Sequence, residues 1–288
     1  MKRSELRALL ERAGIRPSKG RGQNFLVEDS LAEAIVRDAG VDGETLVWEV
    51  GAGLCVLTLP LARVAAAVVS VELDAAVAEV ARELLAEQEN VTLIEGDVLD
   101  GKHALNPEVL AALRARSEWP RLMMVANLPY AIATPLLIRA LASELPALCG
   151  IVVMVQLEMA ERAVAQPGTP AYGAVSVLLQ AMTSDARIVR TVPRTVFHPR
   201  PKVTSAILSL TPSPERLAGF AQLEPMVRGL FNFRRKSLQN AAKHAAARDP
   251  QLAWLPDALR ASDLDPQARC DGLPVAAFRA LAASGPAG

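Results

Sequence analysis

The sequence predicts an α/β fold built around a parallel sheet, and the stretch 46–74 carries most of that prediction. It opens with a short apolar run rich in residues that favour strands. Gly51 and Gly53 follow, then a helical stretch over 54–63 and a second β-branched run that ends at Glu72. Strand, glycine turn, helix, strand and acid is the order of a nucleotide-binding βαβ unit.

The glycine turn is compatible with two classes of nucleoside ligand. Gly51 and Gly53 let the backbone approach a ligand, and Glu72, 21 residues past Gly51, can accept hydrogen bonds from both ribose hydroxyls. A dinucleotide site usually has a third glycine, but Val56 stands at that position. The acid before the turn, Glu49, and the acidic strand tip favour S-adenosylmethionine, which carries no phosphate. A tight turn without a ligand is the alternative.

Hydrophobic periodicity predicts the elements on either side of this unit. Helices are predicted over 1–13, 31–39, 74–88, 105–118, 157–165 and 172–182, and strands over 91–95, 122–126, 148–156, 186–191 and 205–210. Prolines at 212 and 214 mark a boundary, and short helices follow. The predicted domains are therefore 1–211, with a basic extension at 1–22, and a small helical domain at 212–288.

Asp97 follows the third strand, in the crevice where open α/β sheets bind ligands. Its carboxylate could accept a hydrogen bond from the amine of adenine, and solvation in a loop is the alternative. Near the N-terminus, Asn24 is typical of a turn or cap, and Phe25 and Leu26 are typical of a small apolar anchor.

The fourth strand leads to the tetrapeptide Asn127-Leu128-Pro129-Tyr130. Pro129 stiffens the turn and favours an extended Leu128, so that the Asn127 side chain and a backbone carbonyl are presented as two acceptors. The exocyclic amine of adenine or cytosine is a poor nucleophile, and acceptors for both its N–H groups favour the form that attacks a methyl group. Tyr130 can stack on a base taken out of its helix. A structural turn with a buried tyrosine is the alternative.

Length and composition indicate a globular protein without metal or disulfide chemistry. The 288 residues include no apolar run of membrane length and no secretory signal, which predicts a cytoplasmic location. The three cysteines are far apart, and the three histidines lack metal-ligand or triad spacing. Cys55 could be a nucleophile, but small-residue packing in the glycine turn is the favoured interpretation. Methyl transfer from a sulfonium needs little acid–base catalysis, because the leaving group departs neutral.

The net charge is zero, but the charges are unevenly distributed. Residues 1–21 contain seven Lys or Arg and two acids, and residues 187–248 contain twelve bases and two acids. Residues 28–108 contain 17 acids and four bases. This asymmetry predicts a basic face for nucleic acid, with ordinary solvated surface as the alternative.

Two basic segments in the C-terminal half are candidates for phosphate contacts. The predicted RNA contacts are Arg200, Lys202, Arg234, Arg235 and Lys236. Phe197 precedes the first pair and could be a second stacking surface for a base or a core residue.

Together these motifs resemble the ribosomal RNA adenine N6,N6-dimethyltransferase family, and most closely its small-subunit branch, the kasugamycin-sensitivity dimethylases. The resemblance covers about 22–243 and rests on Gly22-Gln-Asn-Phe-Leu26, Glu49-Val-Gly-Ala-Gly53, Val71-Glu-Leu-Asp74, Gly96-Asp97, Asn127-Leu-Pro-Tyr130, Ala171-Tyr-Gly173, Phe197-His-Pro-Arg-Pro-Lys-Val203 and Arg234-Arg-Lys-Ser-Leu238. It implies a Rossmann-like seven-stranded S-adenosylmethionine-dependent methyltransferase fold with a small helical C-terminal domain.

The resemblance also implies roles for individual residues. The implied cofactor contacts are Asn24, Leu26, Gly51, Glu72, Asp97 and Asn127. Asn127 and the Leu128-Pro129 backbone would hold the target amine, and Tyr130 and Phe197 would enclose the target adenine. The implied substrate is a pair of adjacent adenosines in the hairpin loop near the 3′ end of 16S rRNA, dimethylated within a late 30S assembly intermediate by a monomer.

The chain departs from the family pattern at Cys55, Ala131, Ala133 and Leu157. Cys55 replaces Gly or Ala and asks for slightly more room, the two alanines replace polar residues, and Leu157 replaces a frequent lysine. The alternatives are the large-subunit branch that confers macrolide resistance, a non-catalytic RNA-binding assembly factor and a dehydrogenase. The leucine of the tetrapeptide and the long C-terminal region favour the small-subunit branch, and the intact site favours an enzyme.

Overall fold

The computed structural model describes residues 3–15, 24–101, 104–116, 118–145 and 147–286. The basic loop predicted at 16–22 lies outside these residues. Among the described residues the strands are β1 Phe25–Leu26, β2 Thr45–Val50, β3 Ala67–Glu72, β4 Val91–Glu95, β5 Leu99–Asp100, β6 Ala104–Leu105, β7 Arg121–Asn127, β8 Leu148–Gln156, β9 Thr183–Val192, β10 Phe197–His198 and β11 Ser205–Pro212. The α-helices there are α1 Arg3–Arg12, α2 Asp29–Ala39, α3 Thr58–Ala62, α4 Ala75–Leu84, α5 Pro107–Arg114, α6 Ala133–Leu141, α7 Leu157–Ala163, α8 Ala174–Ala181, α9 Phe220–Phe231, α10 Leu238–Arg248, α11 Leu255–Ala261 and α12 Val275–Ala283.

Seven of the described strands form one sheet in the order β4-β3-β2-β7-β8-β11-β9, which confirms the predicted fold class. The first five strands in that order are parallel, and β11 is antiparallel to β8. Strands β2 and β3 are buried along their whole length, as expected where both faces of a parallel sheet are covered. The strand order reverses between β2 and β7, and a ligand crevice is expected at their carboxyl ends.

The helix after the glycine turn is shorter than the sequence predicts. Helix α3 spans Thr58–Ala62 instead of 54–63. Gly51, Gly53 and Cys55 have φ angles of 83°, 54° and 59°, and an α-helix contains no positive φ. The segment before α3 is therefore an open turn at the end of β2.

An unpredicted two-stranded pair joins two distant motifs. Phe25 pairs with His198 and Leu26 pairs with Phe197, in antiparallel register. The segment that contains Asn24 is thereby attached to the segment that precedes Arg200 and Lys202.

The chain divides into two compact units. The first contains Met1–Ala160 and Arg187–Pro212, and the second contains Glu161–Ala186 and Ser213–Gly288. Residues 161–186, which the sequence analysis assigns to the first domain, cluster with the C-terminal helices. The predicted domain limits stay a prediction.

The second unit has an aromatic core of its own. The Phe231 ring lies 6.2 Å from the Tyr172 ring, edge-on, and 5.9 Å from the Phe278 ring, stacked. The Tyr172 hydroxyl donates to the Leu273 carbonyl at 2.8 Å, so this tyrosine of the family pattern is a core residue. Of the helices in the described residues, none has the length and apolar character needed to cross a membrane.

Candidate active site

A cavity of about 340 Å³ lies at the carboxyl ends of β2, β3, β4 and β7. Its size falls in the range of about 300–1,000 Å³ that is usual for small-molecule sites. The predicted site residues that line it are Asn24, Leu26, Gly51, Glu72, Asp97, Asn127, Leu128, Pro129 and Tyr130. Segments that are more than a hundred residues apart in sequence therefore meet at the predicted edge of the sheet.

The two glycines of the turn are required by its geometry. The Gly51 N–H donates to the Val71 carbonyl at 2.7 Å, and a β-carbon at Gly51 would lie 3.7 Å from the Asn127 carbonyl oxygen. A β-carbon at Gly53 would lie 3.4 Å from the Phe25 ring. Both distances are ordinary van der Waals contacts, so glycine is favoured by the positive φ at both positions, which L side chains rarely adopt. The turn can therefore bring its backbone close to the cavity and to β7.

Glu72 presents an oriented carboxylate at the tip of β3. It is 8% exposed, and its two oxygens accept hydrogen bonds from the Gly53 N–H and the Asp74 N–H, each at 2.9 Å. Burial raises the pKa of Glu72, and the two backbone hydrogen bonds oppose that shift. Each oxygen keeps a second lone pair, so the carboxylate can accept from two neighbouring hydroxyls such as those of a ribose.

A second acidic residue, Glu49, is buried next to the turn and links the elements around it by hydrogen bonds. It is 1% exposed and accepts hydrogen bonds from Thr58 Oγ1 at 2.7 Å and Ser70 Oγ at 2.6 Å. Burial raises the pKa of Glu49 to about 8, so the group is protonated at neutral pH. Glu49 joins α3 to β2 and β3, and it does not line the cavity.

Two apolar side chains beside the carboxylates were missed by sequence reasoning. Leu73, which is 62% exposed, and the buried Val98 line the cavity next to Glu72 and Asp97. Asp97 Oδ1 accepts from the Leu99 N–H at 3.0 Å, which orients its carboxylate. Apolar contacts flanked by two carboxylates suit a flat, amine-bearing base. The sequence signal that could have identified Leu73 is its position between two acids, Glu72 and Asp74, at the end of a predicted strand.

All four residues of the tetrapeptide line the cavity. Asn127 Nδ2 donates to the Asn24 carbonyl at 3.3 Å, which fixes the orientation of the amide. The Leu128 N–H donates to the Met154 carbonyl at 3.1 Å and attaches the turn to β8. Within the described residues, no group donates to Asn127 Oδ1 or to the Leu128 carbonyl. These two oxygens are the acceptors that the sequence analysis predicts.

The two predicted stacking residues have different environments. Tyr130 is half-buried, lines the cavity, and its hydroxyl lies 2.8 Å from Ser205 Oγ. Burial raises the pKa of Tyr130. Phe197 is 1% exposed and packs in a core cluster with Leu26 and Met154. The structure thus favours core packing for Phe197, and its stacking on the target base stays a prediction that requires its ring to be uncovered.

Cys55 is a packing residue. It is fully buried, and burial raises the pKa of its thiol to about 12, which disfavours a thiolate nucleophile. Its φ of 59° is a left-handed backbone conformation that costs a non-glycine residue about 1–2 kcal/mol. In the part of the chain that the structure describes, no cluster of three His, Cys, Asp or Glu could hold a metal ion.

The predicted RNA contacts are exposed in both units. Arg200 and Lys202 are exposed in the first unit. In the second unit, Arg234, Arg235 and Lys236 are exposed in the turn between α9 and α10.

Arg269, which sequence reasoning missed, lies next to this basic turn and pairs with Asp271 at 2.8 Å. Its Nε donates to the Arg234 carbonyl at 3.2 Å. The N–H groups of Leu238 and Gln239, at the start of α10, donate to nearby carbonyls. The exposed side chains of Arg234, Arg235 and Lys236 are therefore the candidates for phosphate contacts, because these two N–H groups of the helix are already bonded.

The strand order, the glycine turn and the cavity define a Rossmann-like methyltransferase. The structure resembles that of a dimethyladenosine transferase from Plasmodium falciparum, with a TM-score of 0.71, 24% identity and coverage of 89% of this chain and 95% of that one. It also resembles the 23S rRNA methyltransferase ErmE, with a TM-score of 0.61, 25% identity and coverage of 91% and 99%. Residues 17–258 match the family model for ribosomal RNA adenine dimethylase, and the chain belongs to that family.

Similar curated proteins carry the name ribosomal RNA small subunit methyltransferase A. The protein from Geobacillus thermodenitrificans is 37% identical, over 95% of this chain and 92% of its own length. The protein from Pediococcus pentosaceus is 39% identical, over 94% and 91%. These findings confirm the resemblance to the small-subunit branch.

Proposed function

We propose that this protein transfers methyl groups from S-adenosylmethionine to the N6 amines of two adjacent adenosines in the 3′-terminal hairpin loop of 16S rRNA. The observation that carries the proposal is the single cavity lined by both Glu72 and the Asn127-Leu128 acceptors. Family membership supports adenine in ribosomal RNA as the substrate. Identities of 37% and 39% to small-subunit methyltransferases favour 16S over 23S rRNA.

The residues of the cavity fit the cofactor along its length. Glu72 accepts from the ribose hydroxyls, and Asp97 accepts from the adenine amine between Leu73 and Val98. The open backbone at Gly51 leaves room for the methionine portion. Asn24 and Leu26 contact that portion from the β1 side. When bound, S-adenosylmethionine supplies a methyl carbon made electrophilic by the adjoining sulfonium.

The target amine is activated by neutral acceptors. In the first transfer, Asn127 Oδ1 and the Leu128 carbonyl each accept one N–H of the amine, which releases the nitrogen lone pair from the ring. In the second transfer, one of them accepts the N–H that remains. After each transfer the methylated nitrogen is cationic and releases one proton to solvent. Tyr130 stacks on the base and excludes water from one of its faces. Preorganised hydrogen-bonding groups of this kind are each worth about 10²–10³ in rate.

The RNA partner is held by the exposed cations of each unit, through phosphates and without reading the sequence. We propose that the substrate is a late 30S assembly intermediate, and that the protein acts on it as a monomer in the cytoplasm. The family relation to ribosomal RNA and the basic turn at 234–236 support this part of the proposal.

The proposal is tested by mass spectrometry of 16S and 23S rRNA from cells that contain or lack the gene. We expect two adjacent N6,N6-dimethyladenosines in 16S rRNA, absent in the deletion strain and restored by the wild-type gene but not by the Asn127→Ala variant. A change confined to 23S rRNA would reassign the protein to the large-subunit branch. Unchanged methylation in both RNAs would refute the proposed activity.

The phosphate contacts are tested with the double variant Arg234→Ala/Arg235→Ala. Each lost phosphate contact should reduce the slope of log affinity against log salt by about 0.7–0.9. Arg260→Ala is the matched control, because this exposed arginine of the same unit pairs with Asp257 outside the turn. Equal salt slopes for the double variant and the wild type would remove the turn from the RNA interface.

A further inference from the structure

The Tyr130 hydroxyl joins the tetrapeptide to a strand at the other side of β8. It lies 2.8 Å from Ser205 Oγ, and the two residues are 75 positions apart in the sequence. Ser205 is the first residue of β11, is fully buried, and pairs with Gln156 of β8. No other described residue shares a hydrogen bond with the Ser205 hydroxyl.

The hydrogen bond fixes the part of Tyr130 that the backbone leaves free to move. The Leu128 N–H is bound to the Met154 carbonyl, which holds the main chain of the turn on β8. The ring of Tyr130 can still rotate about its side-chain torsions. A bond at the hydroxyl, the atom farthest from the backbone, fixes the direction of the ring axis. It also favours a ring plane that contains the Ser205 oxygen, because the O–H bond and the lone pairs of a phenol prefer the plane of the ring.

We propose that Ser205 is a positioning residue for methyl transfer, which holds the Tyr130 ring at the tilt needed to stack on the target adenine. This inference rests on the proposed function. Ser205 does not line the cavity, so it acts through Tyr130 and does not touch the substrate. Stacked rings require nearly parallel planes, and small errors in placement of a reacting group lower the rate strongly.

The test compares Ser205→Ala, Tyr130→Phe and the double variant. Each retains an aromatic ring and removes the same hydrogen bond. We expect kcat for methylation of unmethylated 30S particles to fall about five- to tenfold in all three variants. The decrease should be equal because each variant loses the same single hydrogen bond. The dissociation constant for S-adenosylmethionine should stay within about twofold of the wild-type value, because the cofactor contacts remain.

Thermal stability separates positioning from a purely structural role. Tyr130→Phe leaves the buried Ser205 hydroxyl without a partner and should have the lowest melting temperature, whereas the double variant removes both polar groups and should recover. Positioning predicts that kcat stays low in the double variant although its stability recovers. A structural role predicts that kcat recovers together with stability, and that result would overturn the inference.

Ser209→Ala is the matched control, because Ser209 is a buried serine of the same strand that does not line the cavity. Its kcat should equal that of the wild type. Wild-type kcat in Ser205→Ala, together with loss of activity in Asn127→Ala, would reject the positioning role and leave the proposed function intact. Absence of methyl transfer by the wild-type protein would instead reject the proposed function.

Discussion

The turns after β2 and after β7 line the same cavity, but they are held in place by different kinds of hydrogen bond. The first turn is bound by acidic side chains of the adjoining strands: the charged Glu72 of β3 accepts from the Gly53 N–H, and the protonated Glu49 of β2 accepts from Thr58 Oγ1. The second turn, residues 127–132, contains no charged side chain. Neutral hydrogen bonds to the Asn24 carbonyl, the Met154 carbonyl and the Ser205 hydroxyl hold it in place.

This difference in hydrogen bonding indicates different functions for the two turns, one in cofactor affinity and the other in reaction rate. Hydrogen bonds to a carboxylate are about twice as strong as neutral ones, so we expect the first turn to supply affinity for a hydroxyl-rich nucleoside. In the proposed reaction the second turn increases the reactivity of an uncharged amine, and for this the placement of acceptors matters more than their charge. Substitutions in the first turn should therefore change cofactor affinity, and substitutions in the second should change the rate.

The largest effect is expected for Asn127→Ala in the second turn. It removes one of the two acceptors and should lower the single-turnover rate about 10²- to 10³-fold. Cofactor affinity, measured by calorimetry, should change far less than the rate, because Asn127 is only one of six implied cofactor contacts and the carboxylates of Glu72 and Asp97 remain. A near-normal turnover rate in the Asn127→Ala variant would contradict the mechanism in which two acceptors bind the target amine.

Asn90→Ala serves as the control for this comparison. Asn90 Nδ2 donates to the Ala62 and Ala65 carbonyls, and the residue does not line the cavity. This substitution should lower thermal stability without slowing the reaction. A rate loss as large as that of Asn127→Ala would mean that the rate reports on folding and not on the target amine.

Glu72→Gln, which removes the β3 carboxylate bound to the first turn, should weaken cofactor binding and leave the rate at saturating cofactor unchanged. The amide would place an NH₂ group against one of the two backbone N–H donors, and the charge would be lost. We expect the dissociation constant to rise about 10- to 100-fold, which corresponds to about 1.5–3 kcal/mol for hydrogen bonds to a charged group. Glu79→Gln, at an exposed site on α4, is the control. A large loss of kcat with unchanged affinity would contradict the division of tasks.

The pH dependence of affinity gives a second test of Glu72. Burial raises the pKa of this carboxyl, so it becomes protonated at a higher pH than an ordinary glutamate. Protonation of the Glu72 carboxylate removes its negative charge and one of the lone pairs that can accept a hydrogen bond from the cofactor. Cofactor affinity of the wild type should therefore fall as the pH is lowered, and the Glu72→Gln variant should lack this dependence. Parallel affinity profiles would show that another group controls binding.

Local patterns were sufficient to predict the sheet and the position of its site. β-Branched runs, the glycine turn and the acid after the next strand all lie within 46–74. Acids and amides that follow parallel strands lie at one edge of the sheet, and this rule predicts that Asp97 and Asn127 lie near Glu72. The sequence pattern also showed the branch of the family.

Contacts between distant segments could not be predicted in this way. The Asn127–Asn24 and Tyr130–Ser205 hydrogen bonds span 103 and 75 positions, and the two-residue strands β1 and β10 are too short to show periodicity. The positive φ of Cys55 left no local signal, because a non-glycine residue rarely adopts it. Burial of Phe197 depends on its pairing with Leu26 and on core neighbours from other elements.

The smallest effect on the site is expected for Glu49→Gln, beneath the first turn. Burial raises the pKa of Glu49 from its usual 4.5 to about 8, so the folded protein keeps a proton that the unfolded chain releases. The resulting stability is fully present below pH 4.5 and is lost as the pH rises towards 8. Glutamine cannot ionise, so the variant should lack this loss, which amounts to at most about 1.4 kcal/mol per pH unit.

Urea unfolding at pH 5, 6.5 and 8 measures this difference. The free energy of unfolding of Glu49→Gln should rise relative to that of the wild type as the pH increases, while kcat and cofactor affinity stay unchanged. Glu72 also has a raised pKa, but it is present in both proteins and cancels in the comparison. Glu44→Gln, at an exposed position before β2, should show no such trend. A constant difference across this pH range would mean that Glu49 is ionised in the folded protein, and that the first turn is supported by two charges and not by one.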